Sequence, residues 1–307
     1  MGVVTYPKDG SDCDELIEKS FLALDKAKNE KLNFWIYESE AVDVNYNNIE
    51  LLGDIDNSMK ENNFELYYQP KIDLKTNQVD AYEALIRWNH PKEGFIPPAQ
   101  FIPKVERSSL IEPLTDWVIK QSIDDILEYS EIANSKDLHV AINISARNFQ
   151  DPSFIERLFE YLDKCKLDPN KFAIEITETD LMIEMDKNIQ KLSQLREKGV
   201  KIYLDDFGKG YSSLKYLKEL PIDYIKIDQF FINDIENKTT NRDIVLSIVK
   251  LSHALNIKVV AEGVETKAQL DFLKNNNCDY AQGYYFTRPN KKEEIFKWTE
   301  NFDKKQF

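Results

Sequence analysis

Cysteine and histidine are scarce in this chain of 307 residues, with three of each. Cys13, Cys165 and Cys278 form neither a CxxC pair nor an even set for a disulfide framework, which points to a reducing, cytoplasmic setting. His90, His139 and His253 have no metal-pair spacing, so zinc chemistry and Ser-His catalysis fit poorly. No apolar run approaches the ~18 residues that a membrane span needs. Mean hydropathy is −0.51, and MGVVTYPKDGSDCDE lacks the basic-then-apolar pattern of a signal peptide. Basic residues are short too: 40 Lys and Arg against 54 Asp and Glu give a net charge of −14. Such a chain is a poor non-specific binder of nucleic-acid polymers or anionic membranes. An anionic ligand would need local Lys or Arg, or bound divalent cations. What is present is core material. With 42% hydrophobic and 12% aromatic residues, the chain can fill two ordinary domains or one large barrel.

Residues 12–28 read as an amphipathic helix and 34–37 as a short strand. The polar, Asn-rich stretch 38–49 reads as a linker. We therefore divide the chain into a small partial α+β unit with linker over 1–46 and a main domain over 47–307. In the main domain, eight strands are expected: Leu66–Ile72, Ala81–Trp88, His139–Ile144, Phe172–Ile176, Val200–Leu204, Tyr224–Ile227, Val259–Ala261 and Ala281–Phe286. Helical patterns fall between most of them: Leu114–Ser130, Phe154–Lys164, Ile189–Lys198, Ser213–Leu220, Arg242–Leu255 and Lys267–Asn275. The alternation and the count favour a (β/α)₈ barrel of the TIM type over an open doubly wound sheet. No strand-turn-helix carries GxGxxG, the nearest approach being Gly208-Lys-Gly210-Tyr-Ser-Ser213.

Barrel chemistry sits at the strand ends, so the polar residues there matter most. Glu83 shares a strand face with Leu85 and Arg87. Asn143 ends the third strand, Glu175 the fourth with Glu178 just beyond, and Asp205-Asp206 the fifth. Lys226 and Asp228 share a face of the sixth, Glu262 ends the seventh and Gln282 lies on the eighth. Singly, each could cap a helix or face water, and Lys226 could simply pair with Asp228. Together, a barrel would bring Glu83, Asn143, Glu175, Asp205, Asp206 and Glu262 to one mouth. Clustered carboxylates repel, and hard divalent cations with oxygen ligands, Mg²⁺ or Mn²⁺, relieve the conflict. Two ions ~3.5–4 Å apart suit in-line displacement at phosphorus, with one Asp bridging them. Lys226 would then be a cation beside the metals, with a depressed pKa or a role in orienting water or phosphate.

The ordered blocks YYQPKIDL (67–74), EALIRW (83–88), FIPKVE (101–106), NISARNFQDP (143–152), EITET (175–179), DDFGKGYSSL (205–214), LPIDYIKID (220–228), VVAEGVET (259–266) and AQGYYFTRP (281–289) carry a resemblance. From about Asn62 to Pro289 the chain resembles the EAL domain of cyclic-di-GMP phosphodiesterases. The resemblance implies a modified barrel whose first strand runs antiparallel to its neighbour. It implies two divalent ions, Mg²⁺ or Mn²⁺, with Glu83, Asn143 and Glu175 on the first, Asp205 shared and Asp206 on the second. Lys226 and Glu262 match the positions given to water activation and metal support, and Glu178 matches the acid that holds the loop after DDFG. Gln69, Leu85, Arg87, Asp228 and Gln282 match the substrate side, Arg87 on phosphate. The implied reaction is hydrolysis of cyclic di-GMP to linear pGpG, often in a homodimer. Lys209 departs from the small residue, Thr or Ala, usual in that loop.

The first 40 residues resemble the end of a GGDEF domain without its signature, so cyclase activity is not expected of this chain, and a longer parent with a membrane anchor is compatible with it. The alternative function is an inert cyclic-di-GMP receptor, which would bind the dinucleotide without cleaving it. The DFG of Asp206-Phe207-Gly208 is no kinase mark, because an HRD loop and a glycine-rich loop are both missing. A two-metal nuclease shares the logic, but the acidic balance disfavours long polymers.

Overall fold

A computed structural model describes residues 42–133, 138–209, 217–236 and 239–302, together with parts of 2–36. Two compact units result: 1–61 with 99–110, and 62–98 with 111–307. In the first, β1 (Gly2–Val3) pairs in parallel with β2 (Trp35–Ile36). The helix expected over 12–28 lies largely outside the described residues. The stretch read as a linker is instead the start of a 19-residue helix, α1 (Val42–Lys60). Leu51, Ile55 and Met59 recur at helical spacing there, and Ile55 is fully buried. An apolar stripe of that kind outweighs the ~0.5 kcal/mol that each Asn costs a helix relative to Ala.

The second unit is a closed eight-stranded barrel. Its first strand, β3 (Phe64–Asp73), turns directly into β4 (Gln78–His90), and the two pair antiparallel along their length. A short β5 (Gly94–Ile96) continues beyond β4; the chain then passes through α2 (Pro98–Val105), nearly all of which belongs to the first unit, and returns with α3 (Ile111–Ala133). Then come β6 (His139–Asn143), α4 (Ala146–Gln150), α5 (Phe154–Cys165), β7 (Phe172–Thr177), α6 (Glu178–Leu181), α7 (Met185–Glu197) and β8 (Lys201–Phe207). The chain continues through β9 (Tyr224–Ile227), α8 (Gln229–Asn233), α9 (Thr239–Ala254), β10 (Lys258–Ala261), α10 (Lys267–Asn275), β11 (Tyr280–Ala281), β12 (Asn290–Lys291) and α11 (Lys292–Glu300). The strands β4, β6, β7, β8, β9, β10 and β11 are parallel neighbours in that order. Both neighbours of β3, β4 and β11, run antiparallel to it, so the reversed strand closes the barrel.

Between strands and helices lies a continuous apolar shell that includes Ile142, Ile174, Ile202, Leu204, Ile225 and Val259, all fully buried. Each such side chain contributes about 1.5–3 kcal/mol by leaving water. The interior is filled differently. Ala141, Ala173, Tyr203, Tyr224, Val260 and Tyr280 form one inward layer, with Tyr203 stacked on Tyr224 at 4.1 Å between ring centroids. Two alanines leave the room that three tyrosines occupy. A buried carboxylate, Asp125 of α3, ties the reversed strand and the last helix to this wall. It accepts from Tyr68 of β3 at 2.7 Å, from Gln121 at 2.9 Å and from Lys292 of α11 at 3.0 Å.

Two strand expectations change. The run Ala281–Phe286 is strand only at Tyr280–Ala281, and then turns: Phe286 N–H donates to Gly283 O, and Tyr285 N–H to Val264 O. The run from Val200 starts one residue later and continues to Phe207, with a register break between Leu204 and Phe207. Of the helix expected over Ser213–Leu220, residues 213–216 lie outside the described residues, and the chain is turn and loop over 218–220.

Candidate active site

The period of two in a strand decides what stands above the tyrosine layer. Two residues beyond Ala141, Ala173, Tyr203, Tyr224, Val260 and Tyr280 come Asn143, Glu175, Asp205, Lys226, Glu262 and Gln282. Glu83 of β4 joins them through its pairing with Ala141, and Gln69 of β3 lies opposite Glu83 in the ladder. One mouth thus receives carboxylates from the ends of β4, β7, β8 and β10, three carboxamides and a lysine.

Lys226 is the hub. Its Nζ lies 2.8 Å from Glu262, 3.0 Å from Asp205 and 3.5 Å from Glu83, and donates to Glu175 as well. Asp228 is not among these partners, which overturns the simple Lys226–Asp228 pair. The expectation of a depressed lysine pKa is also corrected. Burial opposes the charge, but Asp205, Glu175, Glu262 and Glu83 outweigh it and raise Lys226 well above its ordinary value.

A second ammonium escaped the reading of the sequence. Lys71, buried on the reversed strand, donates to the other oxygen of Glu175 across the barrel and lies 4.1 Å over the Tyr203 ring. Only a lysine amid the apolar alternation of QPKID signals it. Glu83 accepts from Asn143 at 2.9 Å and from Gln282 at 2.8 Å. Burial works against its ionisation, yet Lys226, Lys71 and these hydrogen bonds bring it down to about 2. Glu262 goes the other way: burial first, then the charges of Asp205 and Glu83, push it up to about 8 against the pull of Lys226. Fully ionised, Glu83, Glu175, Asp205 and Glu262 exceed Lys71 and Lys226 by two formal charges, and protonating Glu262 relieves one of them.

The break in β8 separates two neighbouring acids. Asp206 takes a left-handed φ of 55° and its N–H donates to Asp205 Oδ1 at 2.7 Å, so Asp205 faces the hub while Asp206 faces elsewhere. The partner of Asp206 is Lys209, at 2.8 Å, which also lies 2.6 Å from Asp228. Asp228 caps α8 by accepting from Phe230 N–H at 2.8 Å. Glu178, at the start of α6, is buried and accepts the Gly208 N–H at 3.2 Å. Gly208 has φ 100°, and a Cβ there would lie 2.8 Å from Phe231, so the turn after Asp-Asp-Phe requires glycine.

A cleft of about 260 Å³ opens over the mouth, lined by Gln69, Glu83, Leu85, Asp228, Glu262 and Gln282 among others. Arg87 is not part of its lining. Its guanidinium lies over the Tyr67 ring at 5.3 Å and donates to Ile86 O at 3.0 Å.

The donor set suits a hard divalent cation: carboxylates and carboxamides, oxygen throughout, with a charge excess that a dication cancels. Gln282 Oε1 is buried without a hydrogen-bond partner among the described residues, an acceptor beside Glu83 with no donor to satisfy it. Among the described residues no three acidic, His or Cys side chains already surround a common point as ligands do. The lysines stand between them.

A barrel with one reversed strand and a ring of carboxylates at its mouth is the class of domain that the fold and the site define. The chain belongs to the EAL domain family, whose pattern matches residues 53–289. It is 37% identical over 290 residues to cyclic di-GMP phosphodiesterase NbdA of Pseudomonas aeruginosa, covering 94% of this chain and 37% of that one. It is 35% identical over 296 residues to the bifunctional diguanylate cyclase/cyclic di-GMP phosphodiesterase MucR of the same organism, covering 96% and 43%. The chain thus spans about two fifths of these curated relatives. Among solved structures, the PaMucR phosphodiesterase in complex with c-di-GMP superposes with a TM-score of 0.77 at 37% identity, covering 80% of this chain and 99% of that one.

Proposed function

We propose that this chain hydrolyses one phosphodiester bond of cyclic di-GMP to give linear pGpG. The observation that carries the reading is the ring Glu83, Asn143, Glu175, Asp205 and Glu262 around Lys226, beneath an open cleft. The names of its relatives and the dinucleotide in the PaMucR complex support the substrate.

Two divalent ions, Mg²⁺ or Mn²⁺, would be held by Glu83, Asn143, Glu175 and Asp205 at one position and by Asp205 and Asp206 at the other. Bound, they would supply Lewis acidity and a water acidic enough to attack phosphorus at neutral pH. The chain's own groups do the rest. Lys226 and Glu262, 2.8 Å apart, form the cation and the carboxylate that orient the attacking water. Glu178 positions the Asp205–Gly208 turn through the Gly208 N–H. Gln69, Leu85, Asp228 and Gln282 line the cleft for the dinucleotide. Arg87, further along the same face of β4 as Glu83, is the cation available to a phosphate.

The residues ahead of the barrel fit the tail of a GGDEF-like domain over 1–46. The parallel β1–β2 pair supports this, as does a likeness to MucR that extends over 96% of the chain. We assign the protein to a homodimer, to be checked by sedimentation at micromolar concentration. Among the described residues no helix is long and apolar enough to cross a membrane.

The deciding experiment is incubation with cyclic di-GMP and Mg²⁺ or Mn²⁺, with products separated by chromatography. pGpG formed with metal, and lost with EDTA or in Glu83→Ala, supports the reading. Binding of intact cyclic di-GMP without product would make the chain a receptor. Neither binding nor product would refute both.

A further inference from the structure

The second acidic pair of the mouth already holds a cation of its own. Lys209 Nζ lies 2.8 Å from Asp206 Oδ1 and 2.6 Å from Asp228 Oδ2. Both carboxylates are presented by fixed backbone. Asp206 is set by the β8 break and its left-handed φ, and Asp228 by the capping bond at the start of α8. Lys209 is different: half-exposed, on a long side chain, in the turn whose Gly208 N–H is held by Glu178. It is the one member of the trio on a long, half-exposed side chain, and because Asp228 is buried its carboxylate needs a cation beside it, which a dication arriving at Asp206 and Asp228 supplies in place of the ammonium.

Charge points the same way. Across both ends of the mouth, six carboxylates (Glu83, Glu175, Asp205, Asp206, Asp228 and Glu262) face Lys71, Lys226 and Lys209. Fully ionised, and with Lys209 withdrawn, the six exceed Lys71 and Lys226 by four formal charges, the charge of two dications. With Lys209 in place it is three, and the ammonium takes the Asp206 end of the site.

We propose that Lys209 is a resident cation at the Asp206–Asp228 end of the mouth, which a second divalent ion must displace in order to bind. This rests on the phosphodiesterase reading above. The two ions therefore load in sequence, the first at Glu83, Glu175 and Asp205 and the second with lower affinity. Turnover then follows free divalent concentration well above the level that fills the first position.

The test is Mn²⁺ titration of the full chain by calorimetry, with bound and free ion counted by electron paramagnetic resonance. In the unmodified chain one ion binds tightly and a second more weakly. In Lys209→Met and Lys209→Thr the second binding tightens on the order of tenfold while the first is unchanged. Two variants of different shape that agree report on the ammonium, not on packing. Superimposable titrations in all three proteins would overturn the proposal, as would two equal tight ions in the unmodified chain. A readout without substitution is acylation of Lys209 by acetic anhydride, followed by mass spectrometry. Its rate should rise when the second ion binds and not with the first; a flat rate overturns the proposal. Failure of the phosphodiesterase reading looks different: no ion binds to any of the three.

Discussion

Removing the Lys71 ammonium while keeping its bulk tests the logic of the buried cluster. In Lys71→Met the thioether keeps the contact with the Tyr203 ring, but Glu175 loses the donor on one of its two oxygens. Taking away one partner of a buried ion pair costs about 3–5 kcal/mol, because a charge is left uncompensated. Here Lys226 remains on the other oxygen, so the lower end, about 3 kcal/mol, is expected. For a domain of this size that is a fall of roughly 6–12 °C in Tm. The loss should depend on pH. Burial, and then the charge of Glu83, already raise the pKa of Glu175, and without Lys71 it rises further. A carboxyl with a raised pKa in the fold stabilises it below its unfolded pKa, and that stability is lost as pH climbs through the folded value. The variant should therefore lie nearest the parent in acid and furthest from it at pH 8. Urea unfolding in EDTA at several pH values, with unchanged m, measures this. A deficit below about 1 kcal/mol at pH 8 would refute the account, since it would lie within the range of an ordinary surface pair. A cycle with Glu175→Gln adds a second check: the double variant should lose less than the sum of the singles, by about 1–3 kcal/mol.

Other outcomes follow from the same contacts. Because burial and its acidic neighbours hold Glu262 at about 8, it carries a proton at pH 7 in the metal-free protein. Mn²⁺ binding should then release close to one proton there and almost none above pH 9, measured by calorimetry in buffers of different ionisation enthalpy. Metal-free stability should also decline as pH rises through 8. Gly208→Ala forces a Cβ to within 2.8 Å of Phe231 at φ 100° and should cost about 1–3 kcal/mol in thermal unfolding. Asp125→Ala, remote from the mouth, strips partners from Tyr68, Gln121 and Lys292 and should cost about 3 kcal/mol while Mn²⁺ binding is unchanged.

What the sequence reveals and what it conceals divide along one physical line. A period of two in a short apolar run fixes which residues share a face without reference to any other strand. Combined with the expectation of a barrel, it puts Glu83, Asn143, Glu175, Asp205 and Glu262 at one mouth with Lys226 beside them, whereas Asp206, expected there too, turns toward Lys209. The helix over 42–60 was missed for a local reason: its asparagines mask an apolar stripe that only tertiary burial reveals. The pairings are concealed because they belong to no single element. Lys71 reaches Glu175 because β3 is reversed and crosses the barrel from the other side. Lys226 ignores Asp228, two residues further along the chain, because four carboxylates from the ends of four other strands meet it instead. Asp228 in turn meets Lys209 only because the break in β8 swings Asp206 away from Asp205 and brings the following turn over α8. A bulge of this kind changes the face of every residue after it, so counting along the strand stops being informative after Asp205. The ligand types were therefore legible, while the cation that faces each of them was set by three-dimensional closure.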